Sequence, residues 1–249
     1  MPLHVYGVTR SDVVLPDELV GLYDAPVTTV ADDDGLAALV SECPEAPTAR
    51  RAELMAHARV LEKLVETETV LPMQFGMCMP DDQSVRDHLL ATHRPRLGEL
   101  LSKLDGTVQL TVKVVYREDD ALRQVLHRNP ALLRTRERLA SIPADAAHFK
   151  QAEFGQQIAV ELERMGSQDG AEILGTLAPL CLAYEEGRLL SPYHILNTAF
   201  LVRRDQRARF DEAVGILAGQ WNEVGTVRYL GPQPAYSFVD LEAGDPAWA

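Results

Sequence analysis

The stretch that most constrains the fold is "TVQLTVKVVYR" at residues 107–117. Its apolar and polar residues alternate, and a strand has a side-chain period of two, so each kind faces one side. The apolar residues that share one face are Val108, Leu110, Val112, Val114 and Tyr116. This alternation predicts a long strand with one buried and one polar face, which is typical of an antiparallel sheet with helices on one side.

The remaining apolar patterns predict a mixture of short strands and helices around that strand. Further strands are expected at 3–8, 27–30, 179–184, 193–204, 226–232 and 236–241. Helices are expected at 36–42, 49–69, 84–104 and 205–221, and residues 119–178 are expected to be helical with a break at 166–170. In the helix at 49–69 the expected apolar stripe is Leu54, Ala58, Leu61 and Val65, and Asp205 is a candidate N-cap of the last helix. This order predicts an α+β protein with two lobes, each built on an antiparallel sheet.

The expected domains are an N-terminal α+β domain at 1–118 and a C-terminal α+β domain at 119–241, which begins with the helical segment. Residues 242–249 are expected to form a flexible tail. No repeat is evident between the two lobes.

Composition bounds the compartment and the partners. The chain has 24 Lys and Arg against 37 Asp and Glu, a formal net charge of −13, which argues against sequence-independent binding of nucleic acid. No apolar run reaches about 18 residues, so no membrane span is expected, and the first residues do not resemble a secretion signal. Cys43, Cys78 and Cys181 are odd in number and widely spaced, as expected of buried thiols in a reducing cytoplasm.

The residue types that carry chemistry do not form a recognisable catalytic pattern. His88 and His93 are five residues apart, whereas helical metal ligands need a spacing of three or four. His57 lies beside an apolar helix stripe, where a structural histidine is favoured over a general base. The acidic runs at 32–34 and 81–82 stand next to turn residues, which indicates solvated turns or helix starts. We therefore predict no catalytic, cofactor-binding or metal-binding residue, and no cofactor.

Three stretches resemble a known family. "VYG" at 5–7, "VLPMQFG" at 70–76 and "LNTAFLV…RYLGPQPAYSFV" within 196–239 are similar to motifs of the gas vesicle protein F/L family, and the resemblance runs from about residue 3 to residue 241. The matching positions are Tyr6, Gly7, Leu71, Pro72, Phe75, Gly76, Asn197, Phe200, Leu201, Val202, Gly231, Pro232, Pro234, Tyr236, Ser237 and Phe238. The chain departs from the family pattern at Thr198, Gln233 and Ala235, where the family often has Ala, Trp and Pro.

The resemblance implies an accessory protein of gas vesicle assembly, located in the cytoplasm and associated with gas vesicles. It implies contacts with the small hydrophobic shell protein and with other accessory proteins, as a chaperone, a nucleator or a minor wall component. It also implies two lobes with ferredoxin-like or modified ferredoxin-like sheets, and leaves the subtype (F or L) and self-association open. The alternative is a small-molecule-binding or hydrolytic enzyme that uses a cleft between the lobes.

The ending "GPQPAYSFV" at 231–239 leaves two interpretations open. Pro232 and Pro234 fix their φ angles and favour a stiff, extended segment, which suits a rigid corner that locks a terminal strand onto a sheet. On such a strand Tyr236 and Phe238 share one face and Ser237 takes the other. The same segment also suits a preformed docking edge for a partner. The motif positions are therefore structural or partner-contact residues.

Overall fold

The structure is a computed structural model, and it describes residues 1–141 and 144–239. The tail predicted at 242–249 lies outside these described residues, as do the last two residues of the strand predicted at 236–241.

The chain forms two compact units, and each is discontinuous in sequence. The first unit contains Met1–Leu110, Leu201–Asp205 and the described residues from Gly231 onward. The second unit contains Thr111–Phe200 and Gln206–Leu230. The division at residue 118 inferred from the sequence stays a prediction.

The first unit is built on a five-stranded antiparallel sheet with the order β2-β3-β1-β4, in which β5 also pairs with β1. Its strands are β1 Leu3–Arg10, β2 Thr28–Ala31, β3 Leu36–Glu42, β4 Leu71–Pro72 and β5 Cys78–Met79. Its helices are α1 Arg51–Val65, α2 Asp82–Ser84, a π-helical segment Val85–Ala91 that continues α2, and α3 Thr92–Lys103. The order of β1 to β4 is that of a ferredoxin-like sheet, modified because residues 11–27 form a loop with one 3₁₀ turn where that fold has its first helix.

Apolar side chains cover this sheet on both faces. One core joins the sheet to α1 and to the loop at 11–27, and its members are Tyr6, Leu19, Leu22, Val27, Leu39, Val60, Leu61, Leu64 and Val70. The other joins the sheet to the helices at 82–103, and its larger members include Leu3, Val5, Val8, Leu71, Leu89, Leu97, Leu100 and Leu201. Residues of β1 contribute to both cores, and β1 lies inside the sheet, between β3 and β4.

A β-bulge interrupts β1 at its centre. Val5 pairs with Val40 and Gly7 pairs with Leu39, which leaves Tyr6 as the extra residue. The bulge reverses the alternation of side chains, so that Val5 and Val8 belong to one core while Tyr6 belongs to the other. A Cβ atom on Gly7 would also point towards the α1 side, 2.7 Å from the Leu71 carbonyl oxygen. Two consecutive positions thus face α1, and the second has room only for glycine.

The second sheet has four strands with the order β7-β8-β6-β9. Its strands are β6 Thr107–Tyr116, β7 Ala183–Glu186, β8 His194–Arg203 and β9 Gly225–Gln233. The helices of this part of the chain are α4 Glu118–Arg128, α5 Pro130–Ala140, α6 Ala144–Leu177 and α7 Arg207–Trp221. The sequence β6, helices, β7, β8, α7, β9 with this spatial order is again ferredoxin-like. The predicted α+β class with antiparallel sheets and a helical middle segment is confirmed.

The helix predicted at 36–42 is wrong, because these residues form β3. The segment Leu36–Ser41 is buried at every position, since β3 lies inside the sheet and both faces of the sheet are covered. Such a strand loses the polar–apolar alternation that identifies strands, and its Leu and Ala residues favour a helix when judged alone.

The helix break predicted at 166–170 is also wrong, because α6 continues through it. Both terminal glycines of that stretch are buried. A Cβ atom on Gly170 would lie 2.7 Å from the Ile195 carbonyl oxygen. Glycine here permits close packing within the helix instead of ending it.

Several boundaries and faces also differ from the predictions. The strand expected at 179–184 begins at Ala183, and Asp205 does not cap α7, whose N-cap position is Gln206. Leu54 is exposed, and the stripe that α1 buries consists of His57, Val60, Leu61, Leu64 and Val65. The face of β6 expected to be either wet or covered by polar contacts is buried at Thr107, Gln109 and Thr111, and Gln109 Oε1 accepts a hydrogen bond from the Ser237 N–H. Cys78 is exposed, although a buried thiol was expected there.

The predicted final strand at 236–241 is wrong over its described part. Tyr236–Phe238 is a 3₁₀ turn, while the strand β9 continues through Pro232 to Gln233. Tyr236 is 44% exposed whereas Phe238 packs on the core that joins the sheet to the helices at 82–103, so the two side chains do not share a face.

Replacing Gly7 with alanine tests the packing at the bulge. The new methyl group would lie 2.7 Å from the Leu71 carbonyl oxygen and 2.8 Å from Val70 Cγ1, so Gly7→Ala should lower the free energy of unfolding by about 1–3 kcal/mol. Gly98→Ala in α3 is the matched control, since a Cβ atom there meets nothing within 4 Å and alanine favours the helix by about 0.5–1 kcal/mol. Urea denaturation measures both, and equal stability of Gly7→Ala and wild type would contradict the packing argument.

Candidate functional site

The N-terminal motif residues meet at the centre of β1. Gly7 pairs with Pro72, and Val8 pairs with Leu71, so two motif segments separated by more than sixty residues in sequence are neighbours in the sheet. Leu71 and Pro72 are buried, with Leu71 on the side of the first sheet opposite to α1. These positions serve the packing of β1.

The rest of "LPMQFG" lies in the short connection between β4 and β5. The Met73 N–H donates to the Tyr6 carbonyl oxygen at 2.9 Å, and the Val5 N–H donates to the Met77 carbonyl oxygen at 2.9 Å, so the chain leaves β1 and returns to it. Gly76 turns the backbone with a φ of +94°, which favours glycine. Phe75 lies in this connection and packs, half-buried, against the core at α1.

Phe75 covers a pair of buried histidines. His4 Nε2 and His57 Nδ1 are 2.9 Å apart and share a hydrogen bond, and the Phe75 ring lies 5.7 Å and 5.6 Å from the two imidazole centroids. Burial lowers the pKa of His57 to about 4, and burial together with the charge of His57 lowers the pKa of His4 to about 4. Both rings are therefore neutral at pH 7, and the contact is that of a structural pair.

No motif or spacing marks His4 in the sequence, although it stands two residues before Tyr6. Its Nδ1 is 3.9 Å from the Cys78 thiol. Over residues 1–141 and 144–239, no three His, Cys, Asp or Glu residues are grouped so that they could hold a metal ion.

The motif residue Tyr6 anchors the long loop at 11–27. Its hydroxyl accepts a hydrogen bond from the Leu22 N–H at 2.8 Å and is hydrogen-bonded to Ser41 Oγ at 2.7 Å. Gly21 leaves room for this hydroxyl, since a Cβ atom there would lie 1.9 Å from it. Burial raises the pKa of Tyr6, so the hydroxyl remains a neutral anchor.

The anchored loop has a constrained backbone and an exposed outer side. Glu18, Tyr23 and Asp24 have positive φ angles of 56°, 55° and 57°, which non-glycine residues rarely adopt. Val14 and Tyr23 are exposed, while Leu22 is buried in the core. Tyr6 is thus a positioning residue for a surface loop.

The C-terminal motif fastens residues 231–239 to the first unit. Gly231 has a φ of +137°, and a Cβ atom there would lie 2.9 Å from the Gln109 carbonyl oxygen. Pro232 and Pro234 are buried, and the Ser237 N–H donates to Gln109 Oε1 at 2.9 Å. The residues after the prolines that pack with the core at the helices 82–103 are Ala235, Phe238 and Val239. Residues 231–239 thus form a packed corner, but it leads into a 3₁₀ turn and not into the terminal strand expected from the sequence. The docking-edge interpretation stays a prediction.

Two further motif residues lie in the second unit. Asn197 donates through Nδ2 to the Arg188 carbonyl oxygen at 3.1 Å. The backbone carbonyl oxygen of Asn197 accepts from the Gly187 N–H at 2.7 Å. Phe200 is fully buried, with its ring centroid 5.2 Å from that of Phe210. Asn197 therefore holds the turn that follows β7, and Phe200 is a core residue.

A polar cavity of about 200 Å³ lies in the second unit. Arg128 forms a two-pronged ion pair with the buried Asp169, at 2.8 Å and 3.1 Å, and the Tyr116 hydroxyl donates to the same carboxylate. Burial, followed by this hydrogen bond, raises the pKa of Tyr116. No local pattern marks this network in the sequence, because Arg128 and Tyr116 are 41 and 53 residues from Asp169. Within this network, the polar groups of Tyr116 and Arg128 both bond to the Asp169 carboxylate.

The edge strand β7 is the most exposed part of the second sheet. All four of its residues are exposed, and the nearby apolar residues Leu182 and Leu190 are 57% and 77% exposed. A groove of about 480 Å³ lies between α6 and residues 189–195, next to the end of the β7–β8 turn. Ser191 Oγ and His194 Nδ1 line this groove 2.9 Å apart, but they are three residues apart in one turn. β7 and this groove form the best candidate contact surface.

The fold and these surfaces define a class: a two-unit α+β protein on two ferredoxin-like sheets, in which the motif residues hold the cores and residues 231–239 in place. A family model described as gas vesicle synthesis protein GvpL/GvpF matches residues 2–240. The chain belongs to this family and has an accessory role in gas vesicle formation. In the part of the chain that the structure describes, no helix combines the length and the apolar character that crossing a membrane requires.

Relatives and solved structures match over nearly the whole chain. Gas vesicle protein F of a Streptomyces species is 32% identical, covering 96% of this chain and 100% of that protein, and gas vesicle protein F of Haloferax mediterranei is 26% identical, covering 97% and 95%. The crystal structure of GvpF from Microcystis aeruginosa has a TM-score of 0.75 at 25% identity, covering 96% of this chain and 99% of that one. The GvpF structure from an Anabaena species has a TM-score of 0.80 at 24% identity, covering 97% and 99%, and supports the fold.

The histidine pair should make the protein less stable in mild acid. Both pKa values fall from 6.5 to about 4 on folding, so between these pH values the unfolded chain binds more protons and stability falls as the pH falls. Each histidine adds up to about 1.4 kcal/mol per pH unit to the fall in the free energy of unfolding. The variant His57→Gln keeps a hydrogen-bonding side chain and should show a shallower slope from pH 6.5 to pH 4.5. Equal slopes in urea denaturation would contradict this assignment.

Removing the Tyr6 hydroxyl tests the loop anchor. Tyr6→Phe leaves the buried Leu22 N–H without its acceptor, so the free energy of unfolding should fall by about 1–3 kcal/mol. Hydrogen exchange at the Leu22 amide should accelerate. Tyr193→Phe is the matched control, because its hydroxyl donates to Glu118 Oε1 at the surface and its loss should cost under about 0.5 kcal/mol. Unchanged exchange at Leu22 in Tyr6→Phe would show that the hydroxyl does not hold the loop.

Proposed function

We propose that this protein binds the small hydrophobic shell protein of gas vesicles, and other accessory proteins, and keeps the shell protein soluble before it assembles. The observation that carries the proposal is the family match over residues 2–240. An apolar shell subunit needs a partner in water until it reaches the growing wall, because exposed apolar surface associates without specificity.

The surface of the protein supports a binding role. The described residues expose large apolar side chains in both units, among them Val14 in the first and Leu190 in the second, at 73% and 77%. Around β7 the exposed apolar residues are grouped, as Leu182, Tyr184, Leu189 and Leu190, and a grouped apolar patch rimmed by polar residues is typical of protein–protein contact sites. The shell protein and other accessory proteins are the partners that the family membership favours.

The net charge supports the solubilising part of the proposal. At a formal charge of −13, complexes of this protein repel one another, which opposes the aggregation of a bound apolar subunit. We assign the protein to the cytoplasm in association with gas vesicles, as a chaperone. Nucleator and minor wall component are the other roles that an accessory protein can take.

Co-expression with the shell protein tests the proposal. The soluble fraction of the shell protein should rise several-fold when this chain is present, and a pull-down on this chain should recover it. An unrelated protein of similar size and net charge is the control, since it supplies repulsion without a binding surface. No gain in solubility and no recovery of the shell protein would overturn the proposal.

Fractionation separates the chaperone from a wall component. A chaperone should stay in the soluble fraction when intact vesicles are floated and washed. Flotation of this protein with washed vesicles, in a fixed ratio to the shell protein, would identify a wall component instead.

A further inference from the structure

We propose that β7 is a docking edge that takes up an extended, apolar segment bearing Lys or Arg from a protein partner, which adds to the second sheet as an extra strand. Assigning that partner as the shell protein rests on the proposed function, whereas the edge itself rests on the geometry below. Strand addition to a free sheet edge is a recurrent mode of peptide recognition.

The backbone of β7 leaves hydrogen-bonding groups free on one side. β7 is the outermost strand in the order β7-β8-β6-β9, and the Gly187 N–H at its end is directed to the Asn197 carbonyl oxygen of β8. Along an antiparallel strand the N–H groups alternate in direction. The N–H groups of Tyr184 and Glu186 therefore point away from β8, towards an incoming strand.

Two of the other edges are blocked in ways that β7 is not. The Arg86 Nε–H donates to the Ala31 carbonyl oxygen at 3.0 Å, which occupies the end of β2. β9 contains Pro232, which has no N–H to offer. β7 contains neither proline nor glycine, and all four of its residues are exposed.

The side chains of β7 offer a firm apolar contact. The exposed Tyr184 lies against the buried Phe200, with ring centroids 6.3 Å apart, so one side of its ring is supported by the core. The adjoining groove of about 480 Å³ is lined on its apolar side by Val160, Leu189 and Pro192 among others. A strand on β7 that runs on past Gly187 can place an apolar side chain in that groove.

Charge decides the kind of segment that fits. Glu185 and Glu186 lie on β7, and Glu163 lines the groove. Arg188 is the one Lys or Arg in the sequence from 183 to 190. A second copy of this chain, paired β7 to β7, would gather four carboxylates on two short strands, and like charges opposite one another destabilise a sheet. The edge thus disfavours self-pairing and favours a segment with Lys or Arg beside its apolar residues.

The first experiment uses the full chain and a labelled peptide of eight residues that alternates valine and lysine. Wild type should bind it in fluorescence anisotropy, and a valine–glutamate peptide should not bind. Glu186→Pro removes one outward N–H without touching the bonds to β8, and it should weaken binding at least tenfold. Glu186→Gln removes the same charge and keeps the N–H, so it should weaken binding only two- to threefold. Thermal denaturation checks that both variants remain folded.

The peptide result decides the edge, independently of the shell protein. Absence of binding to wild type, or equal binding to wild type and Glu186→Pro, overturns the inference. A loss in Glu186→Pro that exceeds the loss in Glu186→Gln supports it, because only the backbone donor distinguishes the two variants.

A pull-down of the shell protein with wild type and Glu186→Pro then decides the partner. Recovery by wild type and loss in Glu186→Pro supports the docking of the shell protein on β7. Equal recovery by both overturns that assignment, while the proposed function stands. Failure of wild type to recover the shell protein, with the peptide still bound at the edge, overturns the proposed function and leaves the edge supported.

Discussion

The first unit depends on the bulge in β1, where two consecutive residues face the same side of the sheet. Tyr6 occupies the first of these positions and reaches through the core to hold Leu22 and Ser41. Gly7 occupies the second, because the chain at Val70 and Leu71 passes too close for any side chain. β1 supplies residues to the cores on both faces of its sheet, and the bulge decides which of them face α1. The "VYG" motif is therefore a packing constraint in which each residue type has a physical reason.

The two sheets have the same strand order but are covered by different helices and loops. Both sheets have the ferredoxin-like strand order, but the first replaces one helix with the loop at 11–27, and the second has the three helices α4–α6 in the corresponding place. The first sheet is buried on both faces, by α1 and the loop at 11–27 on one side and by the helices at 82–103 on the other. The second ends in the exposed strand β7, whose acidic residues limit pairing with itself. The exposed edge and the acidic surface both suit a protein whose family acts in gas vesicle formation.

The sequence predicted those features that depend on local pattern. The strand at 107–117, the helical middle segment and the α+β class follow from periodicity, and the family resemblance follows from the quoted motifs. The errors arise where tertiary packing overrides local preference. Leu36–Ser41 is buried on both faces and so lacks the alternation of a strand, and Gly170 lies inside a helix because Ile195 packs against it. Long-range contacts such as His4 with His57 and Tyr116 with Asp169 leave no trace in the spacing of residues.

The return of residues 231–239 to the first unit has a consequence for the order of folding. Ala235 and Val239 complete a core whose other members come mostly from residues 3–104, and the whole second unit lies between them in the chain. During synthesis on the ribosome, the first unit must wait with part of its apolar surface uncovered until the second unit has emerged. Pro232 and Pro234 restrict the backbone of the closing segment before it docks, so less conformational entropy is lost when the core is completed.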